Sequence, residues 1–133
     1  MKLPVCLHGT VESGKKIGRR LGFPTANISC EKKNASIANG VYIATLALSD
    51  GIEINGVANI GIHPTFPEGP PTMEIHLLNF SGEIYDRDVT LKLLKFLRPE
   101  IRFQNSEELK KQVFKDIETA EKYFSGIEKE DIC

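Results

Sequence analysis

The chain has 133 residues, the size of a single domain. Hydrophobic residues make up 41% and charged residues 26%, a globular balance that excludes a disordered chain. Lys and Arg number 17 against 18 Asp and Glu, for a net charge of −1. This balance argues against non-specific nucleic-acid binding but leaves room for a local basic pocket.

The three cysteines, Cys6, Cys30 and Cys133, are too few and too scattered for a disulfide framework. They contain no C-x-x-C pair for zinc, and a reducing, cytoplasmic setting is the expectation. No apolar run reaches the roughly 18 residues of a membrane span. The segment Met1–Gly9 is too quickly interrupted by polar residues to read as a secretory signal.

In chain order, turn-forming residues recur about every ten positions, a spacing that fits many short strands. Pro4 to Val11 is the first strand candidate, and Gly9 to Pro24 reads as the loop that follows it. Gly40 to Ser49 is a stronger strand. Val41, Ile43, Thr45 and Ala47 share one face, and Tyr42, Ala44, Leu46 and Leu48 the other. Both faces are apolar enough for a barrel wall with something packed outside it.

Asp50-Gly51 marks a tight hairpin turn, after which Ile52 to Asn59 returns and Gly61 to Pro71 forms a loop. Met73 to Phe80 is the next strand, turned by Ser81-Gly82. Asp88 to Leu97 follows, with Val89, Leu91 and Leu93 opposite Thr90, Lys92 and Leu94. The period then becomes helical, with Leu109, Val113, Ile117, Ala120 and Phe124 on one stripe. Asn105 and Glu108 have capping-box spacing, and Gly126 ends the helix. The expected fold is mainly β: a small closed antiparallel Greek-key barrel of about six strands with a C-terminal amphipathic helix packed on it. The barrel is expected at about 3–104 and the helix at about 105–125, within one domain spanning 1–133.

Two stretches near the N-terminus invite a phosphate-binding reading. Gly9 to Lys16 almost fits G-x-x-x-x-G-K-[ST], but Lys16 stands where a Mg²⁺-binding hydroxyl is required. The glycines and proline that follow also break the helix such a loop must open. A flexible basic flap over a polyphosphate remains physically sensible, because backbone N–H groups and cations both meet phosphate oxygens. A solvated basic turn is the plain alternative. Thr25 and Asn27, after Pro24, read by themselves as an Asx-type turn.

Taken together, several segments carry a more specific signal. Gly18 to Asn27 reads G-R-R-L-G-F-P-T-A-N. Gly40-Val41-Tyr42 follows, then Gly56 to Gly61 (G-V-A-N-I-G) with Pro64-Thr65-Phe66. Glu74 to Leu78 reads E-I-H-L-L, and Leu97-Arg98-Pro99-Glu100 precedes Phe103. In this order they resemble the riboflavin kinase (flavokinase) family, which also forms the C-terminal module of bacterial bifunctional FAD synthetases. The resemblance covers about Gly9 to Asp116. It implies transfer of the γ-phosphoryl group of MgATP to the ribityl 5′-hydroxyl of riboflavin, giving FMN and ADP. The implied partners are these small molecules, with no nucleic acid and no membrane, and a monomer is expected.

By position in those motifs, the resemblance makes Glu74 the catalytic base, and Thr25 and Asn27 the residues that hold Mg²⁺ and the nucleotide phosphates. Neutral hard oxygens suit Mg²⁺ only weakly, so the metal is expected to arrive with ATP. Gly14 and Arg19 match the phosphate flap. Leu77, Asn79 and Tyr85 match the adenine side, and Arg98, Ile101 and Phe103 match the flavin side. Arg98 can equally be a structural arginine paired with Glu100 or with a helix end.

Alternation groups Glu74, His76 and Leu78 opposite Met73, Ile75 and Leu77, and does not say which face points inward. His63 and His76 read as structural groups, and Asn59 as a polar residue organising loops. The family usually has Gly at the position of Asp86, which narrows the backbone angles available at that turn. The H-x-G-H motif of the adenylyltransferase domain is absent from the sequence, so FMN without FAD is the expected product. A non-catalytic flavin- or nucleotide-sensing barrel is the second reading, and an oligonucleotide-binding barrel a weaker third.

Overall fold

The computed structural model describes residues 3–12, 25–29, 37–61, 72–80, 82, 84 and 86–126. Six strands and one helix follow one another: β1 (Val5–Val11), β2 (Thr25–Ser29), β3 (Gly40–Leu48), β4 (Glu53–Gly61), β5 (Thr72–Leu77), β6 (Asp88–Arg98) and α1 (Ser106–Ser125). The strands close into a barrel in the order β1-β2-β5-β4-β3-β6, every neighbouring pair antiparallel. The β2–β3 and β5–β6 connections join strands that are not neighbours, which is the Greek-key feature.

The expected barrel and helix are therefore present. The strand not located from the sequence is β2. Its polar Thr25 and Asn27 imitate a turn, but its alternate residues Ala26 and Ile28 face the core.

The interior is filled from every strand by alternate apolar residues, among them Val11, Ala26, Tyr42, Leu46, Ile75, Leu91 and Leu93. Gly56 faces inward too. A Cβ there would lie 2.5 Å from the His76 carbonyl oxygen and 2.7 Å from Ile75 Cγ1, so only glycine lets β4 and β5 approach around Ile75. A second apolar cluster lies outside the wall. Val41, Ile43, Val57 and Leu78 meet Val113, Ile117 and Ala120 of α1. This is the outer layer that the apolar outer face of β3 requires.

At the β3–β4 hairpin the Leu48 N–H donates to the Ile52 carbonyl at 2.8 Å, and Gly51 takes φ of 93°. Asp50 accepts from the Ile52 N–H at 3.1 Å and from Arg87 Nη2 at 2.8 Å. The Arg87 guanidinium bonded to it, together with that N–H, holds the Asp50 carboxyl below its ordinary range. Opposite β3, strand β6 carries two register irregularities. The first turns Phe96 to the side of Tyr42, where the rings meet edge to face at 5.2 Å, and the second returns Arg98 to the side of Val41.

The helix starts as its sequence predicts. Asn105 Oδ1 accepts from the Glu108 N–H at 2.9 Å, while the Glu108 carboxylate reaches back to the Gln104 N–H at 3.3 Å. Burial of the Tyr42 ring in the barrel raises its phenol above the ordinary tyrosine range. The cysteines read from the sequence as too few and too scattered for a disulfide framework, yet Cys6 on β1 is disulfide-bonded.

Candidate active site

The pleat decides which side chains of β2, β4 and β5 leave the core. Ala26, Ala58, Met73, Ile75 and Leu77 point into the barrel, so Thr25, Asn27, Val57, Asn59, Glu74 and His76 point out. This settles the face left open by alternation: Glu74 stands on the outer wall, half-buried, and not in the interior.

The registers then align these residues across strands. Asn27 pairs with Glu74, Glu74 with Asn59, Asn59 with Val41, and Val41 with Arg98. One lateral row therefore crosses five strands, each step about 5 Å. A parallel row carries Thr25, His76, Val57 and Ile43. Thr25, 2% exposed, has its hydroxyl 3.2 Å from His76 Nδ1.

The row runs into a cleft of about 440 Å³ between the wall, α1 and the 98–105 connection. Its apolar lining comes from Val41, Val57, Ile101, Phe103, Leu109 and Val113, and its polar lining includes Asn59, His76, Arg98 and Glu100. Ile101 is 47% exposed, an aliphatic side chain left uncovered at the cleft edge.

Arg98 is fixed before any ligand arrives. Its Nε lies 3.1 Å from both carboxylate oxygens of Asp116, and its Nη2 lies 2.8 Å from Oδ2. Nη1 donates to the Pro99 carbonyl at 3.3 Å. Asp116 is 5% exposed and also accepts from Gln112 Nε2 at 3.1 Å. The Arg98 guanidinium carbon sits 5.8 Å from the centroid of the Phe103 ring. Arg98 thus bonds neither Glu100 nor a helix end. It clasps the middle of α1 and presents Phe103 to the cleft.

Asn59 lies in β4, as its place in the returning strand implies, and its Oδ1 is buried with no hydrogen-bond partner among the described residues.

An outer-wall carboxylate flanked by two amide side chains, opening onto an apolar cleft with an arginine at its far end, is an arrangement that can hold a flat ring and deprotonate a group attached to it. The riboflavin kinase family model matches residues 1–124. The chain belongs to the riboflavin kinase family. A bifunctional riboflavin kinase/FMN adenylyltransferase of Buchnera aphidicola is 40% identical over 93% of the chain, and that of Bacillus subtilis 38% over 95%. The chain spans about 40% of the length of each of these relatives.

Among solved structures, one described as a macrolide-efflux protein from Streptococcus pneumoniae matches with a TM-score of 0.76 and 27% identity, over 89% of this chain and 38% of that one. The riboflavin kinase of Trypanosoma brucei matches with a TM-score of 0.62 and 23% identity, over 92% and 81%, and shares the fold.

The other residues indicated by the family motifs are placed unevenly. Leu77 is 3% exposed in the barrel interior. Asn79 is exposed just beyond β5, with φ of 54°. Gly14, Arg19 and Tyr85 lie outside the described residues, as do the flap and His63. Two residues of the cleft were not singled out from the sequence. Asp116 falls on the apolar stripe of α1, three residues after Val113, and that polar break in a buried stripe was its signal. His76 reads from the sequence as a structural group, and it bonds Thr25 while also lining the cleft. No helix among the described residues is long and apolar enough to cross a membrane.

Proposed function

We propose that this chain, as one catalytic unit, is a riboflavin kinase that phosphorylates the ribityl 5′-hydroxyl of riboflavin at the expense of MgATP. The observation that carries the reading is the row Asn27–Glu74–Asn59–Val41–Arg98. It supports the reading by bringing an amide, a carboxylate and the approach to a ring-sized apolar cleft into one line. Glu74 takes the proton of the 5′-hydroxyl. The oxygen bonds to the γ-phosphorus as the bond to the β–γ bridging oxygen breaks, giving FMN and ADP.

Thr25 and Asn27, alternate residues on the outer face of β2, are the ligands for Mg²⁺. No cluster of three or more His, Cys, Asp or Glu suited to a metal exists among the described residues. The neutral oxygens of Thr25 and Asn27 suit an ion whose charge is met chiefly by the phosphates it accompanies. Thr25 Oγ1 lies 3.2 Å from His76 Nδ1, so the imidazole can fix the orientation of the hydroxyl. Bound there, the ion would neutralise charge on the transferred phosphoryl group. On the flavin side, Phe103 and Ile101 cover the ring and Arg98 holds the connection that carries them. On the nucleotide side, Gly14, Arg19, Leu77, Asn79 and Tyr85 contact ATP, Leu77 through its backbone. A monomer in the cytoplasm completes the reading.

The test is incubation of the chain with riboflavin, ATP and Mg²⁺, followed by chromatography with fluorescence detection. FMN that requires both ATP and metal, with no FAD, is the expected result. Bound riboflavin with no FMN under any donor would leave a sensing barrel in its place.

A further inference from the structure

Asn59 is the polar group of the cleft whose bonding is incomplete. Its Oδ1 is shut away from solvent and accepts no hydrogen bond among the described residues. A buried acceptor left bare is costly, and such groups in folded proteins nearly always have a partner. Its neighbours do not supply one. The Glu74 carboxylate beside it in register offers acceptor oxygens. The Arg98 donors face Asp116 and Pro99, and His76 Nδ1 faces Thr25. Asn59 lines the cleft, and rotation of its terminal amide brings Oδ1 to a donor placed there.

The position of Asn59 says which part of the ligand that is. On one side in the row stands Glu74, and on the other Val41 and Arg98, which open on the apolar ring site. A flavin whose ring occupies the cleft and whose terminal hydroxyl reaches Glu74 must pass its polyhydroxylated chain over Asn59.

We propose that Asn59 is the residue that recognises the ribityl chain: a chain hydroxyl donates to its Oδ1, holding the terminal hydroxyl in line with Glu74 and selecting flavins with a polyol side chain. The inference rests on the riboflavin kinase reading for the identity of the ligand.

The experiment titrates wild-type protein, Asn59→Ala and Asn59→Leu with riboflavin and with lumiflavin, which has a methyl group in place of the ribityl chain. Flavin fluorescence is followed with MgADP present, and FMN formation by the wild type is assayed in parallel. Riboflavin should bind the wild type more tightly than lumiflavin does. Each substitution should weaken riboflavin about tenfold, the worth of one neutral hydrogen bond, and leave lumiflavin unchanged. Lumiflavin binding also reports that the variants are folded. An equal loss for both flavins, unaltered riboflavin affinity, or a wild type that does not distinguish the two flavins would each overturn the role of Asn59. Absence of FMN from wild-type protein that still discriminates the flavins would count against the kinase reading alone.

Discussion

A half-exposed glutamate on a barrel wall is ordinary; Glu74 is set apart by the amides of Asn27 and Asn59 on either side and the cleft beyond. Glu74→Gln keeps the shape and removes the proposed base. Turnover should fall by roughly 10²–10⁴ while riboflavin affinity holds, as steady-state kinetics beside fluorescence titration will show. Asn27→Ala should raise the KM for MgATP and leave flavin affinity alone; an unchanged KM would take Asn27 off the nucleotide side. Asp86 has φ of 62°, in the left-handed region that favours glycine. The glycine usual in the family is absent there, and the side chain is exposed. Asp86→Gly should therefore stabilise the fold by about 0.5 kcal/mol, the relief of αL strain less the entropy glycine adds to the unfolded chain. Urea denaturation can resolve the sign. That strain was legible in the sequence, because a family glycine replaced by an L-residue at a turn points to it. The unsatisfied Asn59 was not legible, because one asparagine in an alternating strand looks like any other until both its neighbours and its face are known.

At the scale of elements, the join between α1 and β6 governs the cleft. The carboxylate of Asp116 receives three contacts of 3.1 Å or less from Arg98 and one from Gln112, at 5% exposure. Removing one partner of such a pair leaves an uncompensated buried charge. Asp116→Ala should cost about 3–5 kcal/mol, seen as a lowered denaturation midpoint, and should weaken flavin binding by releasing Phe103. A midpoint within experimental error of the wild type would mean that the clasp contributes little. The helix itself was readable from its period and caps. Its partner on the barrel was not, because the stripe of Leu109, Val113, Ile117 and Ala120 states that a face is buried but not against what. Strand β2 shows the opposite difficulty. Five residues with three polar side chains carry too little pattern to outweigh the local turn signals around them.

At the scale of the molecule, the cleft lies between the barrel wall, the helix and the connection joining β6 to α1, so a ligand bound there ties all three together. Riboflavin with MgADP at 100 times its Kd should stabilise the protein by about 2.7 kcal/mol, several degrees in Tm. No shift at saturating flavin would remove the cleft as the ligand site.

The sequence by itself determined the strand and helix periods, the hairpin at Asp50-Gly51, the helix caps and the family motifs. All of these are local, set by turn chemistry and by neighbours a few residues apart. Only the tertiary structure decided that Glu74 faces outward and that Asn27, Glu74, Asn59 and Arg98 stand in one row. It also decided that Arg98 belongs to Asp116. These depend on strand register and barrel closure, which bring residues together from opposite ends of the chain, and one residue of slip would turn every one of those side chains to the other face.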